Sequence, residues 1–236
     1  MDEKMKGNVI ALLVVGCFAL GLMGQFGGTW LTDSETDADT GITSESEYGL
    51  HEVTTTLSGD ADTVTAMEGM LDTASPGWNE INFADKYENC TEELDAARAN
   101  AKAAGATDEM FEEGAKDNID DCNDVGAMAD AGSYGGMTLW VATVAALIAA
   151  IVVMAGMSGG IDALPEQTGM IAQWAAGALT ALAVLLWYMN LPDSGDASAG
   201  MTVWLTCLGA VCGLAAGAMT TFMGGDEAAE EAPAAE

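Results

Sequence analysis

The feature that most constrains this chain is an apolar run of 25 residues near its start, Gly7 to Leu31, which contains no charged side chain. A helix rises about 1.5 Å per residue, so a run of this length reaches across a hydrocarbon layer about 30 Å thick. Backbone polar groups find no water inside lipid, and a helix satisfies all of them within one segment. The sequence therefore predicts a first membrane span over residues 7–31.

The residues around this run indicate how it is inserted. Lys4 and Lys6 precede it, and the positive-inside rule places that end in the cytoplasm. A cleaved signal peptide is one alternative, but the run is long and no A-x-A-like cleavage site follows it. A lipidated signal is another, because VVGC at 14–17 resembles the box before a lipidated cysteine, although Phe18 and further apolar residues follow. We expect an uncleaved span with Trp30 in the outer headgroup layer.

Three further apolar runs have the length of membrane spans, at 137–157, 169–191 and 201–223. We therefore expect a multi-pass protein of the cell membrane. Because the number of spans is even, both termini lie in the cytoplasm. The predicted segments are a cytoplasmic N-terminus at 1–6, the spans at 7–31, 137–157, 169–191 and 201–223, an extracellular acidic domain at 32–136, a cytoplasmic loop at 158–168, a short extracellular loop at 192–200 and a disordered acidic cytoplasmic tail at 224–236. The fold class is therefore an α-helical integral membrane protein with a four-helix bundle and a large first extracellular loop.

The acidic charge of the chain, −31 in total, is concentrated outside the apolar runs. Residues 32–134 hold 26 acidic and four basic side chains, so this segment alone is near −22. Such a field repels nucleic acid and anionic lipid headgroups, which argues against both as partners. It suits a solvated surface, divalent cations or a saline habitat.

The first part of this segment, residues 32–46, is polar and lacks a core-forming period, so we expect a loop. Its acidic side chains recur at every second position, as in some calcium loops. They are Asp33, Glu35, Asp37 and Asp39. An EF-hand loop would have glycine at Ala38 and glutamate at Ser44. The pattern is therefore compatible with two interpretations, a cation site and a solvated acidic loop.

A β-hairpin is predicted next. Residues 48–57 are rich in β-branched side chains, which favours a strand, and 58–60 have turn composition. Residues 63–67 then supply the partner strand. His51 would lie on this hairpin, and the residues around it do not suggest a catalytic triad.

A disulfide-clipped helical hairpin is predicted after the hairpin of strands. Thr91 and Thr107 are each followed by acidic residues, the pattern of two helix N-termini, and Gly105 ends the first helix. Cys90 and Cys122 flank this pair of helices and are the two cysteines outside the apolar runs. In an exported segment such a pair forms a disulfide. The single histidine of the chain argues against a zinc site.

The predicted spans contain no Asp, Glu, Lys, Arg or His, which argues against a pump, transporter or channel formed by this chain alone. Instead, small residues recur every four positions on the second and fourth spans, the pattern of close helix packing in lipid. The helix-packing residues are Ala142, Ala146 and Ala150 on the second span and Gly209, Gly213 and Gly217 on the fourth. They serve either packing within one chain or self-association.

The topology and a few residues resemble the claudin and peripheral-myelin-protein group of tetraspan membrane proteins. In that group a Trp follows the first span and a Gly-Leu-Trp sequence opens a β-strand about twenty residues later. This chain has Trp30 and Gly49-Leu50, with His51 in place of the second Trp, and lacks the two family cysteines that follow. The resemblance implies a cell-contact or membrane-organising protein with an outer loop that contains β-strands.

The sequence favours a non-enzymatic tetraspan scaffold or cell-surface contact protein of claudin-like architecture that presents an acidic extracellular domain. The alternative is an accessory subunit of a larger membrane complex, such as a transporter or membrane enzyme. An enzyme is disfavoured, since no nucleophile with a base, no metal ligand set and no phosphate loop is recognisable. We therefore predict no catalytic residue, no metal and no cofactor. The expected partners are the lipid bilayer and either further copies of the chain or other membrane subunits, and no nucleic acid.

Overall fold

A computed structural model describes residues 3–157, 167–192 and 197–223 of the chain. These residues form seven helices and five short strands. The helices are α1 (Glu3–Phe26), α2 (Ala61–Ala74), α3 (Phe83–Ala103), α4 (Asp108–Gly114), α5 (Lys116–Met157), α6 (Gln167–Asn190) and α7 (Met201–Met223). The strands are β1 (Leu31–Thr36), β2 (Thr43–Tyr48), β3 (Glu52–Ser58), β4 (Glu80–Asn82) and β5 (Ser198–Ala199).

Four of the described helices, α1, α5, α6 and α7, are long and apolar enough to cross a membrane. The runs predicted at 137–157, 169–191 and 201–223 lie in α5, α6 and α7 to within one residue. Helix α5 begins far earlier, at Lys116, so its first half is polar and its second half is the predicted span. The tail at 224–236 and most of the loop predicted at 158–168 lie outside the described residues.

Helix α1 is shorter than the predicted first span, which was wrong in its last five positions. The helix ends at Phe26, just before Gly27-Gly28, because glycine disfavours a helix interior. Leu31 already belongs to β1, and the Trp30 N–H donates to the Tyr48 carbonyl at 2.7 Å. Trp30 is fully buried, so the expectation of an indole in the headgroup layer was also wrong.

The strands form one antiparallel sheet in the described part of the chain, in the order β4-β3-β2-β1-β5. Residues 32–46, predicted as a loop, instead supply β1 and the start of β2, with Leu31 opposite Tyr48 and Thr36 opposite Thr43. The partner of β3 is therefore β2 on one side, with Tyr48 opposite Val53, and β4 on the other. The hairpin predicted between residues 48–57 and 63–67 was wrong.

The turn between β1 and β2 explains why a polar, acidic stretch forms strands. The Asp37 carboxylate accepts the N–H groups of Asp39 (2.8 Å) and Thr40 (2.9 Å), and these bonds lower the pKa of that carboxyl. Gly41 adopts φ 67°, a conformation that glycine tolerates without steric cost. The turn thus sets the register of two strands whose side chains are largely Ser, Thr and Glu.

Residues 63–67 belong to helix α2 rather than to a strand. Asp60 is its N-cap, and its carboxylate accepts the Thr63 N–H at 3.2 Å and the Thr63 hydroxyl at 2.9 Å. This cap satisfies a donor that the first helical turn leaves without a partner. The cap and the good helix formers at 66–68 and 70–71 outweigh the β-branched residues at 63–65.

The polar helices differ from the predicted helical hairpin at one boundary. Helix α3 begins at Phe83, where Asn82 caps it by accepting the N–H groups of Ala84 and Asp85. The predicted N-cap, Thr91, lies inside α3 and donates its hydroxyl to the Glu88 carbonyl at 2.8 Å. The other boundaries are confirmed: Gly105 follows α3 with φ 89°, and Thr107 caps α4.

The described residues divide into two compact units. The helix unit comprises residues 3–26, 135–157, 167–185 and 202–223, and the sheet unit comprises residues 27–134, 186–192 and 197–201. The core of the helix unit is built from small side chains, with Ala149 and Ala150 of α5 and Ala216 of α7 packed against Ile10 and Val14 of α1. Such packing brings helix backbones close together.

Candidate functional site

The most elaborate arrangement in the described chain is the sheet unit, which is assembled from two separate connecting segments. Strands β1 to β4 follow α1, whereas β5 lies between α6 and α7. Leu31 pairs with Ala199 and Thr32 with Ser198, and the Gly200 N–H donates to the Trp30 carbonyl at 2.9 Å. A strand of two residues is thus fixed by contacts with a segment more than 160 positions away, since Thr32 and Ser198 are 166 positions apart.

Two buried contacts support this junction. The Trp30 and Trp187 rings lie 4.8 Å apart between centroids, and both side chains are buried. Leu50 is also buried, and its carbonyl lies directly against Gly132 of α5. Large aromatic surfaces contribute strongly to such cores, so these contacts fix where β1 and the turn before β3 lie within the unit.

The two faces of the sheet differ in chemistry. One face carries exposed Ser, Thr and Glu side chains, among them Ser34, Glu45, Glu47 and Thr54. The opposite face carries Leu31, Tyr48, Val53 and Ile81, which are buried or half-buried. This alternation follows from the two-residue period of a strand.

The apolar face of the sheet borders a cavity of about 350 Å³. Leu31, Val53 and Ile81 line it from the sheet, Phe83 from α3, and Val125 and Met128 from α5. Its charged side chains come from three elements: Asp33 from β1, Lys86 from α3 and Asp124 from α5. This volume lies in the range of small-molecule pockets, which are mostly apolar with a few convergent polar groups.

Tyr48 and Phe83 give the cavity an aromatic wall. Their rings are nearly parallel, at 9°, with centroids 6.4 Å apart. Burial, the negative charge of Asp33 and, in the opposite direction, the Ser46 side chain act on the Tyr48 phenol, and the net effect raises its pKa. Asp33 therefore lies close enough to the phenol to act on it electrostatically.

The four candidate cation-binding residues do not converge. Asp33 and Glu35 lie on β1, whereas Asp37 and Asp39 lie in the turn that follows, where Asp37 is used as an acceptor for backbone N–H groups. Within the described residues, no three His, Cys, Asp or Glu side chains are placed to hold one metal ion. Only Asp33 and Glu35 follow the two-residue period of β1, since Asp37 and Asp39 lie beyond its end.

The disulfide between Cys90 and Cys122 is present, with the two Cα atoms 5.9 Å apart. It joins α3 to α5 rather than the outer ends of two equal helices, because α3 begins before Cys90 and α5 includes Cys122. Near it, Gly126 of α5 lies against the Tyr87 ring of α3, and an added Cβ would be 2.6 Å from that ring. The bond and this close approach hold α3 beside α5, whose side chains form one wall of the cavity. The remaining cysteines Cys17, Cys207 and Cys212 are free thiols.

The small residues of the helix unit face other helices of the same chain. Gly209 lies against Leu20 of α1, Gly213 against Gly177 of α6, and Gly217 against the Trp174 ring of α6. The alanine stripe of α5 is fully buried, with Ala142 0%, Ala146 1% and Ala150 4% exposed. These residues therefore contribute to packing within one chain.

Polar side chains also link the helices of this unit. Gln173 of α6 accepts the Thr220 hydroxyl of α7 at 2.7 Å. With its amide oriented to satisfy both neighbours, Gln25 of α1 donates to the Gly136 carbonyl at 3.1 Å and accepts the Trp140 indole N–H at 3.0 Å. Hydrogen bonds of this kind stabilise helix association where no water competes.

Sequence reasoning missed the residues that line the cavity. Tyr48, Val53 and Ile81 recur on one side of β2, β3 and β4, but this pattern is visible only once the register is known. Lys86 carried one usable signal, since it is one of only six basic residues in the chain. Asp124 is one acidic residue among many and carried none.

No family model matches this chain, and no curated protein shows significant sequence similarity to it.

Proposed function

We propose that this protein is a non-enzymatic, multi-pass scaffold or contact protein of the cell membrane that presents the acidic sheet unit outside the cell. The helices α1, α5, α6 and α7 would form its membrane base, with both termini in the cytoplasm. The function would then reside in the exposed surface of the sheet unit and in lateral association of the chain, with the bilayer as its first partner.

The observation that carries this proposal is the pairing of β1 with β5. Strand β1 belongs to the segment between α1 and α5, and β5 to the segment between α6 and α7. Two segments that share hydrogen bonds must lie on the same side of any membrane that these helices cross. Segments that flank α5 and α6 share one side only if both of these helices cross the membrane or neither does, so the sheet supports the proposed crossing of both independently of hydropathy.

The positions of the residues behind the claudin resemblance also support the proposal. Trp30 follows the first apolar helix, α1, and Gly49-Leu50 lie in the turn before β3, separated from its first residue by His51. The Gly49 N–H donates to the Glu52 carbonyl at 2.7 Å, which closes the turn into that strand. His51 occupies the place of the second Trp and is exposed.

The polar face of the sheet is the surface that we propose for contact. Its Glu45 and Glu47 side chains are exposed and lie beside Thr32, Ser34 and Ser198. This surface is formed by well-hydrated hydroxyl and carboxylate groups rather than by apolar side chains. A partner would therefore be recognised through charge and hydrogen bonds. The surrounding charge of the segment, near −22, favours a basic partner surface.

Purification of the full chain in mild detergent tests this proposal. A homo-oligomer or monomer free of other chains supports a scaffold or contact protein, whereas constant co-purifying chains would overturn it in favour of an accessory subunit. The double substitution Glu45→Arg with Glu47→Arg should change capture of basic protein surfaces. Glu68→Arg with Asp72→Arg on α2 is the control, because it changes the charge equally at exposed positions elsewhere.

A further inference from the structure

The cavity between the sheet and helices α3 and α5 is built like a ligand site. It has a volume of about 350 Å³ and is lined by strands β1 to β4, by α3 and α5, and by Pro192 and Ala197 from the connection that contains β5. Apolar side chains such as Leu31, Val53 and Met128 form most of its lining. A pocket of this size accepts a small organic molecule.

Its charged groups favour one sign of ligand. Two acidic residues, Asp33 and Asp124, line the cavity from β1 and α5, and Lys86 is the only basic residue in the described lining. The lining is therefore net negative, and it lies within a segment of charge near −22. Clefts lined by one sign of charge concentrate ions of the opposite sign.

The aromatic wall favours the same kind of ligand. The nearly parallel rings of Tyr48 and Phe83 border the cavity, and an aromatic face attracts a cation within about 6 Å of its centroid. The same rings also pack against a flat apolar body. One molecule with an apolar ring and a protonated amine would therefore satisfy the carboxylates and the rings together.

We propose that this cavity binds a small organic cation, a compact apolar or aromatic body that bears one protonated amine, with Asp33 and Asp124 as its carboxylate partners. Neutral analogues of the same shape would bind more weakly, because they would make the apolar contacts without the charge-assisted hydrogen bond. Anionic analogues would be rejected by the two carboxylates.

The test uses the purified full chain in mild detergent, with 2-phenylethylamine as the probe and 2-phenylethanol as its neutral counterpart, measured by calorimetry and saturation-transfer NMR. We expect saturable binding of the amine and binding of the alcohol that is weaker by about tenfold or more. The substitution Asp33→Asn with Asp124→Asn should weaken amine binding by about tenfold and leave alcohol binding unchanged. Glu35→Gln is the matched control, since Glu35 follows on the same strand and does not line the cavity.

Variants that fill the cavity distinguish binding of the amine in the cavity from its partition into the detergent micelle. Val53→Trp from β3 and Met128→Trp from α5 fill the same space from opposite walls, so one of them remains informative if the other fails to fold. Either folded variant should lose amine binding. Equal binding of amine and alcohol, absence of saturable binding, or unchanged binding in a filled variant would each overturn the proposal.

Discussion

The Cα of Gly132 on α5 lies directly against the carbonyl oxygen of Leu50, in the turn before β3, so that a Cβ at position 132 would overlap that oxygen. The neighbouring His51 ring is also close, with its Nδ1 3.5 Å from the same point. Because backbone on both sides forms this contact, neither neighbour has a side chain that could rotate away. The sheet unit therefore depends on glycine at this position.

We expect Gly132→Ala to destabilise the sheet unit by about 1–3 kcal/mol, since the added methyl group forces the turn away from α5. Gly69→Ala is the matched control, because Gly69 also lies within a helix, α2, and has open space around its Cα. That change should be neutral or stabilising by up to about 1 kcal/mol. Thermal unfolding followed by near-ultraviolet circular dichroism measures both. Equal effects of the two substitutions would contradict this contact.

Gly213→Leu should lower the thermal stability of the helix unit in detergent. A Cβ at Gly213 would lie 2.7 Å from the Gly177 Cα and 3.0 Å from the Cys17 Sγ, so a larger side chain would separate α7 from α6 and α1. Overpacking of this kind costs about 1–3 kcal/mol or more. Gly156→Leu in α5, which has no described neighbour within 4 Å of the added Cβ, should have little effect.

The outcome for Gly213→Leu also decides between packing and self-association. We expect the melting temperature to fall while the oligomeric state, measured by light scattering, persists. Dissociation of an oligomer into folded monomers would instead show that this glycine serves contacts between chains.

Removal of the Cys90–Cys122 bond should destabilise the sheet unit by about 3 kcal/mol, the cost expected for releasing a loop whose ends are 32 positions apart. The paired substitution Cys90→Ser with Cys122→Ser avoids leaving a free thiol, and Cys207→Ser is the control. In the unsubstituted protein, mass spectrometry of a non-reduced digest should find the peptides of Cys90 and Cys122 linked to each other. Two free thiols at these positions in freshly isolated membranes would refute the bond.

Helix α2 should lose its N-terminal cap on acidification. The Thr63 hydroxyl and the Thr63 N–H hold the pKa of the Asp60 carboxyl below its ordinary value. A depressed pKa in the folded state means that the cap stabilises the helix above the unfolded pKa, and that this contribution is lost as pH falls through the folded pKa. Nuclear magnetic resonance titration should show this low pKa.

Thr63→Val removes the larger of these two donors and should raise the pKa of Asp60 toward its ordinary value. Amide exchange at the start of α2 should then become faster at acidic pH. A pKa of Asp60 that is the same in both proteins would contradict the assigned cause.

Both termini should be protected from protease in intact cells. The reason is the even number of spans together with Lys4 and Lys6 before the first of them. Epitope tags at either end should become cleavable only after the membrane is opened, whereas a protease site placed after Gly41, in the exposed β1–β2 turn, should be cleaved without opening. A surface-exposed tag at one terminus and a protected tag at the other would rule out four spans.

Length and hydropathy predicted the apolar helices well, because a span without charged residues has few other folded solutions in lipid. The run at 201–223 matches α7 residue for residue, and the run at 137–157 ends where α5 ends. The Cys90–Cys122 bond was predicted because the other three cysteines fall in apolar runs. Local signals also located the Gly105 helix end and the Thr107 cap.

The β-strands were predicted poorly because their stability comes from partners far along the chain. Residues 32–46 read as a polar loop, yet β1 forms between β2 and β5. Residues 63–67 read as a strand, yet the Asp60 cap and the following residues favour a helix. Strand propensity reflects packing and pairing more than local preference, so it could not decide either case.

The sequence by itself determined which segments are apolar enough for a membrane, where the negative charge is concentrated and which cysteines pair. Each of these depends on composition or on a local pattern. Only the tertiary structure decided that Ser198 and Ala199 join the sheet of β1, that Trp30 is buried against Trp187, and that Asp33, Lys86 and Asp124 border one cavity. These relationships depend on strand register and on the approach of distant helices, which pairwise contacts across the chain fix and no local pattern encodes.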